Sequence, residues 1–112
     1  MNQVEQSVAK YVDEVWEDVV ADIAQLVSYP SVVVAADAEP GAPFGRPVRD
    51  ALDCALGIAQ KLGYQTSDDE GYVGIADIPG RGDKQLATIC HVDVVPAGPG
   101  WNTDPFAMER RE

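Results

Sequence analysis

The one histidine of this chain, His91, stands two residues before Asp93. A neutral imidazole is a good zinc ligand, and a carboxylate beside it can fix its tautomer and raise its basicity. The apolar run Leu86-Ala87-Thr88-Ile89-Cys90 predicts a short strand that delivers His91 into a Pro/Gly-rich loop. In a strand, positions i and i+2 share a side, and strand ends opening into such loops are common places for binding groups. The same pair also has a plain reading. A zinc site needs several protein ligands and no second histidine is present. By composition alone, His91 reads as a hydrogen-bonded structural residue and Asp93 as a loop carboxylate.

Other residue types give weaker patterns. Ser28, Ser31 and Ser67 lack the GxSxG elbow of a hydrolase nucleophile. Gly80-x-Gly82 lacks the further glycine, lysine or helix of a phosphate loop. Asp68-Asp69-Glu70 has the acids for a hard cation, but three acids in a turn more often make a solvated loop. Cys54 and Cys90 form no CxxC pair and sit among apolar neighbours. They are expected to be reduced core thiols, as in a reducing compartment.

The elements that must position these residues can be read from periodicity. Val4, Val8, Val12, Val15, Val19, Ile23 and Leu26 lie three or four apart, on one stripe of a helix over 4–27. Its many valines leave it dependent on packing, and Pro30 ends it. Residues 31–45 are an Ala/Pro/Gly loop. A second helix starts near Pro47 and is capped by Gly63, with Val48, Leu52, Ala55, Leu56, Ala59 and Leu62 as its expected buried face. Two strands follow, Tyr72–Ile78 and Leu86–Cys90, joined through Pro79–Asp83 in a way that suits an antiparallel pair. The second strand is apolar enough to be covered on both faces. Two helices, two strands and a Pro/Gly loop make an α/β arrangement. Its sheet is expected to be incomplete, since two strands alone are marginal.

With 112 residues the chain suits one small domain. Its net charge of -11, from 19 acidic against 8 basic residues, repels phosphate backbones and argues against nucleic-acid partners. Anionic membranes are disfavoured by the same sign. The N-terminus carries acids where a signal peptide needs a basic start, and no stretch approaches a membrane span. Cytoplasm is the expected location.

The run Ile89-Cys90-His91-Val92-Asp93-Val94-Val95-Pro96, with Gly100-Trp101 and Asp104-Pro105-Phe106, resembles the first metal motif of the aminoacylase-like two-zinc peptidases. That family includes bacterial dipeptidases, glutamate carboxypeptidase and succinyl-diaminopimelate desuccinylase. Upstream, Leu26-Val27 to Pro30-Ser31-Val32 is similar to the family's helix end and Pro-Ser-Val signature. Pro43-Phe44-Gly45, with the helix running to Gly63-Tyr64, is similar to the dipeptidase branch.

The resemblance implies that His91 ligates one of two zinc ions, with cobalt or manganese as substitutes, and that Asp93 orients its imidazole for catalysis without touching the metal. It implies that the loop from Pro96 to Phe106 runs beside the site, with Trp101 and Phe106 as packing residues. The complete enzyme would hydrolyse a dipeptide or N-acyl amino acid with metal-activated water. The bridging Asp, the Glu-Glu pair, the later ligands and an inserted smaller domain are absent from residues 1–112. The chain is therefore expected to be a partial catalytic domain, inactive alone. The competing expectation is a non-catalytic acidic protein that self-associates or binds a partner through an exposed sheet edge.

Overall fold

The structure, a computed structural model, describes residues 1–111. Its elements run α1 (Gln3–Val27), a 3-10 turn (Ala35–Asp37), α2 (Arg46–Lys61), β1 (Gln65–Asp69) and β2 (Val73–Asp77). Two helices followed by two antiparallel strands make the small open α/β arrangement expected from the sequence.

α1 starts with a capping box. The Asn2 side chain accepts from Glu5 N–H at 2.9 Å, and the Glu5 carboxylate accepts from Asn2 N–H at 2.7 Å. The apolar stripe lies on this helix, but α1 buries none of its residues. Val4, Val8, Val12, Val19 and Ile23 all remain exposed, because α1 meets the remainder of the described chain mainly through its C-terminal half. An ion pair from Lys61 to Asp22 ties α1 to α2 there.

The core centres on α2. Pro47 occupies its first turn, and its C-terminus closes in a Schellman motif. Tyr64 N–H donates to Ala59 C=O at 3.0 Å and Gly63 N–H to Gln60 C=O at 2.9 Å, with Gly63 at φ 93°. The buried residues are Val48, Ala51 and Cys54, joined by Ala42 from the preceding loop. This corrects the expected face by about one residue along the helix. Leu52, Ala55, Leu56 and Ala59 are half-buried and Leu62 is exposed, since α2 is covered by the hairpin at Leu52 and Leu56 and by α1 and Tyr29 near Cys54.

β1 and β2 pair antiparallel in the register Gln65↔Asp77 to Asp69↔Val73. The turn places Glu70 and Gly71 both at positive φ, 52° and 80°, as a type I′ hairpin turn requires. Gly71 is irreplaceable in two ways: a Cβ there would lie 2.2 Å from the Gly41 carbonyl oxygen. At Gly74 the strand presses so closely on α2 that a Cβ would meet Leu52 Cδ1 at 2.7 Å and Leu56 Cδ2 at 2.9 Å. Phe44 and Tyr72 close the far end edge-to-face, centroids 5.5 Å apart. Arg49 braces the same end, donating to Gly41 C=O at 3.1 Å and pairing with Asp53 and Asp68.

Two strand expectations are corrected. Val73–Asp77 is a strand, but its partner is Gln65–Asp69 and the reversal is at Glu70–Tyr72. Leu86–Cys90 is not a strand. It runs without regular structure, with Leu86 94% and Ile89 100% exposed, because among the described residues no strand lies beside it. Cys90 is accordingly exposed and Cys54 alone is a buried thiol.

Candidate functional site

After Cys90 the chain becomes anchored again, and the anchor is Ser31. This residue follows α1 and Pro30, where two tight turns (Ser31 N–H to Tyr29 C=O and Val32 N–H to Pro30 C=O, both 2.8 Å) aim the backbone away from the helix. The Ser31 hydroxyl donates to Val92 C=O at 2.7 Å, across 61 residues of sequence. Its own carbonyl accepts from Val94 N–H at 3.0 Å. At 2% exposure it is the one buried polar residue among those described.

His91 and Asp93 sit on this anchored strip. His91 Nδ1 lies 2.9 Å from the main-chain carbonyl oxygen of Asp93 and 3.3 Å from its Oδ1. A carbonyl oxygen can only accept, so the contact requires a proton on Nδ1 and leaves the Nε2 lone pair free. The imidazole is largely in solvent, 81% exposed, and the Asp93 side chain half so. No strand carries the two residues; the hydrogen bonds of Ser31 take the place of a sheet ladder.

Beside them opens a cleft of about 480 Å³, walled by Leu26, Tyr29, Val94, Pro96, Trp101 and Phe106. The loop from Pro96 to Phe106 is ordered by its own contacts. Trp101 Nε1–H donates to Ala97 C=O at 2.9 Å, and Asp104 Oδ1 accepts from Phe106 N–H at 2.8 Å. Trp101 is more than half exposed, so its ring forms a wall of the cleft and is not packed within a core. Further along, Arg110 bonds both oxygens of Glu17 at 3.0 and 2.9 Å and returns the chain to α1.

The donor chemistry matches a single metal ligand. Histidines that bind metals usually donate their other ring N–H to a carboxylate or backbone carbonyl, which is the arrangement at Nδ1. A metal site needs several protein ligands, and among the described residues no three His, Cys, Asp or Glu side chains cluster. Cys54 is not among the residues lining the cleft, and burial pushes its thiol up, away from the reactive thiolate. Asp68, Asp69 and Glu70 form the hairpin's end, where Asp68 is committed to Arg49 and to Gly71 N–H at 2.7 Å.

Ser31 is the site residue that sequence reasoning passes over. Assessed as a nucleophile it has no elbow, and nothing local reveals a partner 61 residues away. The available signal was its place directly after the helix-ending Pro30, within the Pro30-Ser31-Val32 segment on which the resemblance rests.

No family model matches the chain. Curated relatives do, under the name "Putative dipeptidase". The chain is 39% identical over 95 residues to YtjP of Bacillus subtilis, an alignment covering 85% of this chain and 20% of that protein. It is 41% identical over 95 residues to SH1171 of Staphylococcus haemolyticus, again 85% and 20%. It is 39% identical over 90 residues to SAUSA300_1697 of Staphylococcus aureus, covering 80% and 19%. The chain thus spans about a fifth of the length of these relatives. No helix among the described residues is long and apolar enough to cross a membrane.

Proposed function

We propose that residues 1–112 contribute the opening part of the catalytic domain of a dipeptidase-like metal-dependent hydrolase, with a dipeptide or N-acyl amino acid as substrate. The reading is carried by one observation: a solvent-facing imidazole whose Nδ1 is engaged by Asp93, at the rim of an apolar-walled cleft. The similarity to proteins named as dipeptidases supports it.

In this reading His91 supplies one ligand through Nε2. Asp93 is the positioning residue, holding the Nδ1 proton through its carbonyl with its carboxylate close by. Val94, Pro96, Trp101 and Phe106 give the cleft beside the site an apolar wall. A zinc ion held by His91 and ligands from outside the described residues would supply Lewis acidity and activate water. Among the described residues no third His, Cys, Asp or Glu side chain joins His91 and Asp93 in a metal-binding group. In this reading hydrolysis belongs to a longer polypeptide containing this sequence, in keeping with relatives of which the chain spans about a fifth.

The test is to capture the native polypeptide from its source cell with an antibody against residues 1–112. Its mass and its dipeptide hydrolysis are then measured with zinc and after chelation. Zinc-dependent hydrolysis by a longer polypeptide is expected. Chelator-resistant hydrolysis, or tight zinc binding by residues 1–112 alone, overturns the reading.

The exposed run Leu86–Cys90 favours a second reading, in which it pairs with another chain as an added strand. A concentration-independent monomer in sedimentation would exclude self-association of that kind.

A further inference from the structure

Ser31 does more than fill a gap beneath the 91–95 strip. Its hydroxyl holds the carbonyl of the peptide unit joining Val92 to Asp93, and its carbonyl holds the N–H of the unit joining Asp93 to Val94. Both peptide planes flanking the Asp93 Cα are therefore fixed by one residue. A trans peptide is planar, with its N–H and C=O pointing opposite ways. With Val94 N–H directed to Ser31, the carbonyl of that same unit must face away from Ser31. That carbonyl is the Asp93 oxygen lying 2.9 Å from His91 Nδ1. One clamp on one side of the strip thus sets the acceptor on the other.

We infer that Ser31 is a positioning residue for His91: by clamping the Val92 carbonyl and the Val94 amide it directs the Asp93 carbonyl onto Nδ1, fixes the Nδ1–H tautomer and presents Nε2 as the free ring nitrogen. The metal-ligand role of that nitrogen rests on the proposed function, but the tautomer does not. All polar groups of Ser31 are engaged, its N–H with Tyr29 C=O at 2.8 Å included, and it is 2% exposed. The clamp is therefore not shared with solvent, and a buried hydroxyl bonded in this way resists rotation. The other acceptor near the ring is on the same residue, the Asp93 carboxylate with Oδ1 3.3 Å from Nδ1; free imidazole in water exists as a mixture of both tautomers.

The sole histidine makes the test direct. A long-range 1H–15N spectrum of the 15N-labelled chain, recorded where imidazole is neutral, reports the two ring nitrogens of His91 without assignment. The wild-type chain is expected to show a protonated Nδ1 and an unprotonated Nε2. Ser31→Ala is expected to move both signals toward the mixed values of free imidazole while backbone amides in α2 and the hairpin stay in place. Ser31→Thr, which retains the hydroxyl, is expected to restore the wild-type pattern. A purely structural role would lower the urea midpoint of Ser31→Ala and leave its ring signals unmoved; that result overturns the inference. So does an Nε2–H tautomer in the wild-type chain.

Should the alanine variant not fold, Ser31→Cys fills the same position with a somewhat larger and much weaker donor: displaced ring signals support the inference and unmoved ones overturn it. Asp93→Asn separates the two acceptors, since its carbonyl is unchanged. Loss of the tautomer there would transfer the role to the carboxylate and overturn the route through Ser31. Titrating zinc into a longer polypeptide carrying the same substitutions tests the other reading independently. An Nε2 signal indifferent to zinc in the longer polypeptide counts against His91 as a ligand and leaves the tautomer result standing. Displacement with an affinity about tenfold weaker in Ser31→Ala, the usual effect of removing an outer partner of a metal ligand, joins the two.

Discussion

Val73–Asp77 and Leu86–Cys90 are both short, apolar in character and supplied with β-branched residues, yet only the first is a strand. Val73–Asp77 has Gln65–Asp69 to accept its ladder bonds and α2 pressed against Gly74. Leu86–Cys90 has neither, and its Ile89 is wholly exposed. The comparison shows that a strand is a relation between segments. Intrinsic preference describes how well residues suit a pleated, half-covered surface, and it cannot provide that surface. The polar stretch Gln65-Thr66-Ser67-Asp68-Asp69 makes the same point in reverse, forming a strand despite its composition because its partner lies a tight turn away.

Substitutions can break this contrast in graded steps. The largest effect is expected at Gly71→Ala, where a left-handed backbone and contact with the Gly41 carbonyl combine. A loss of about 3 kcal/mol is expected in urea unfolding. Gly74→Ala follows, at about 1–2 kcal/mol, because the flexible ends of Leu52 and Leu56 can partly yield. A cost at Gly74 equal to that at Gly71 would show that the helix–hairpin contact, and not the turn, sets the pairing.

Acid should loosen the hairpin next. Bonds from Arg49, then from the Gly71 amide, hold the Asp68 carboxyl below its ordinary value of 3.8. A depressed folded value means that the stabilisation is complete above the unfolded value and is lost as pH falls through the folded one. Hairpin amide signals are therefore expected to weaken below pH 3.8, and Asp68→Asn to flatten part of that slope. The smallest effect is expected at Ile89→Ser in the exposed run, within about 0.5 kcal/mol of wild type. A larger loss there in the isolated chain would mean that the run is covered in solution, and would erase the contrast.

The helices were legible in the sequence because their signals are local. The stripe from Val4 to Leu26, Pro47 in the first turn and Gly63 past the end each act within a few residues. Which side of α2 is buried was less legible: Ala51 and Cys54 are buried because the hairpin and α1 both pack on the helix, and that is decided by tertiary packing. β1 was missed for the same reason. At the candidate site, the pairing of residue types His91 and Asp93 was visible, while the clamp that orients their backbone joins positions 61 apart and leaves no periodic trace.

The unequal cysteines have a practical consequence. Cys54 is shut into the core with its thiol pushed up, whereas Cys90 stands in the open beside His91. A maleimide dye or spin label should therefore attach at one place without any engineered mutation. The chain carries its own reporter handle one residue from the imidazole, suited to following metal arrival or the approach of a complementing chain by fluorescence or electron resonance.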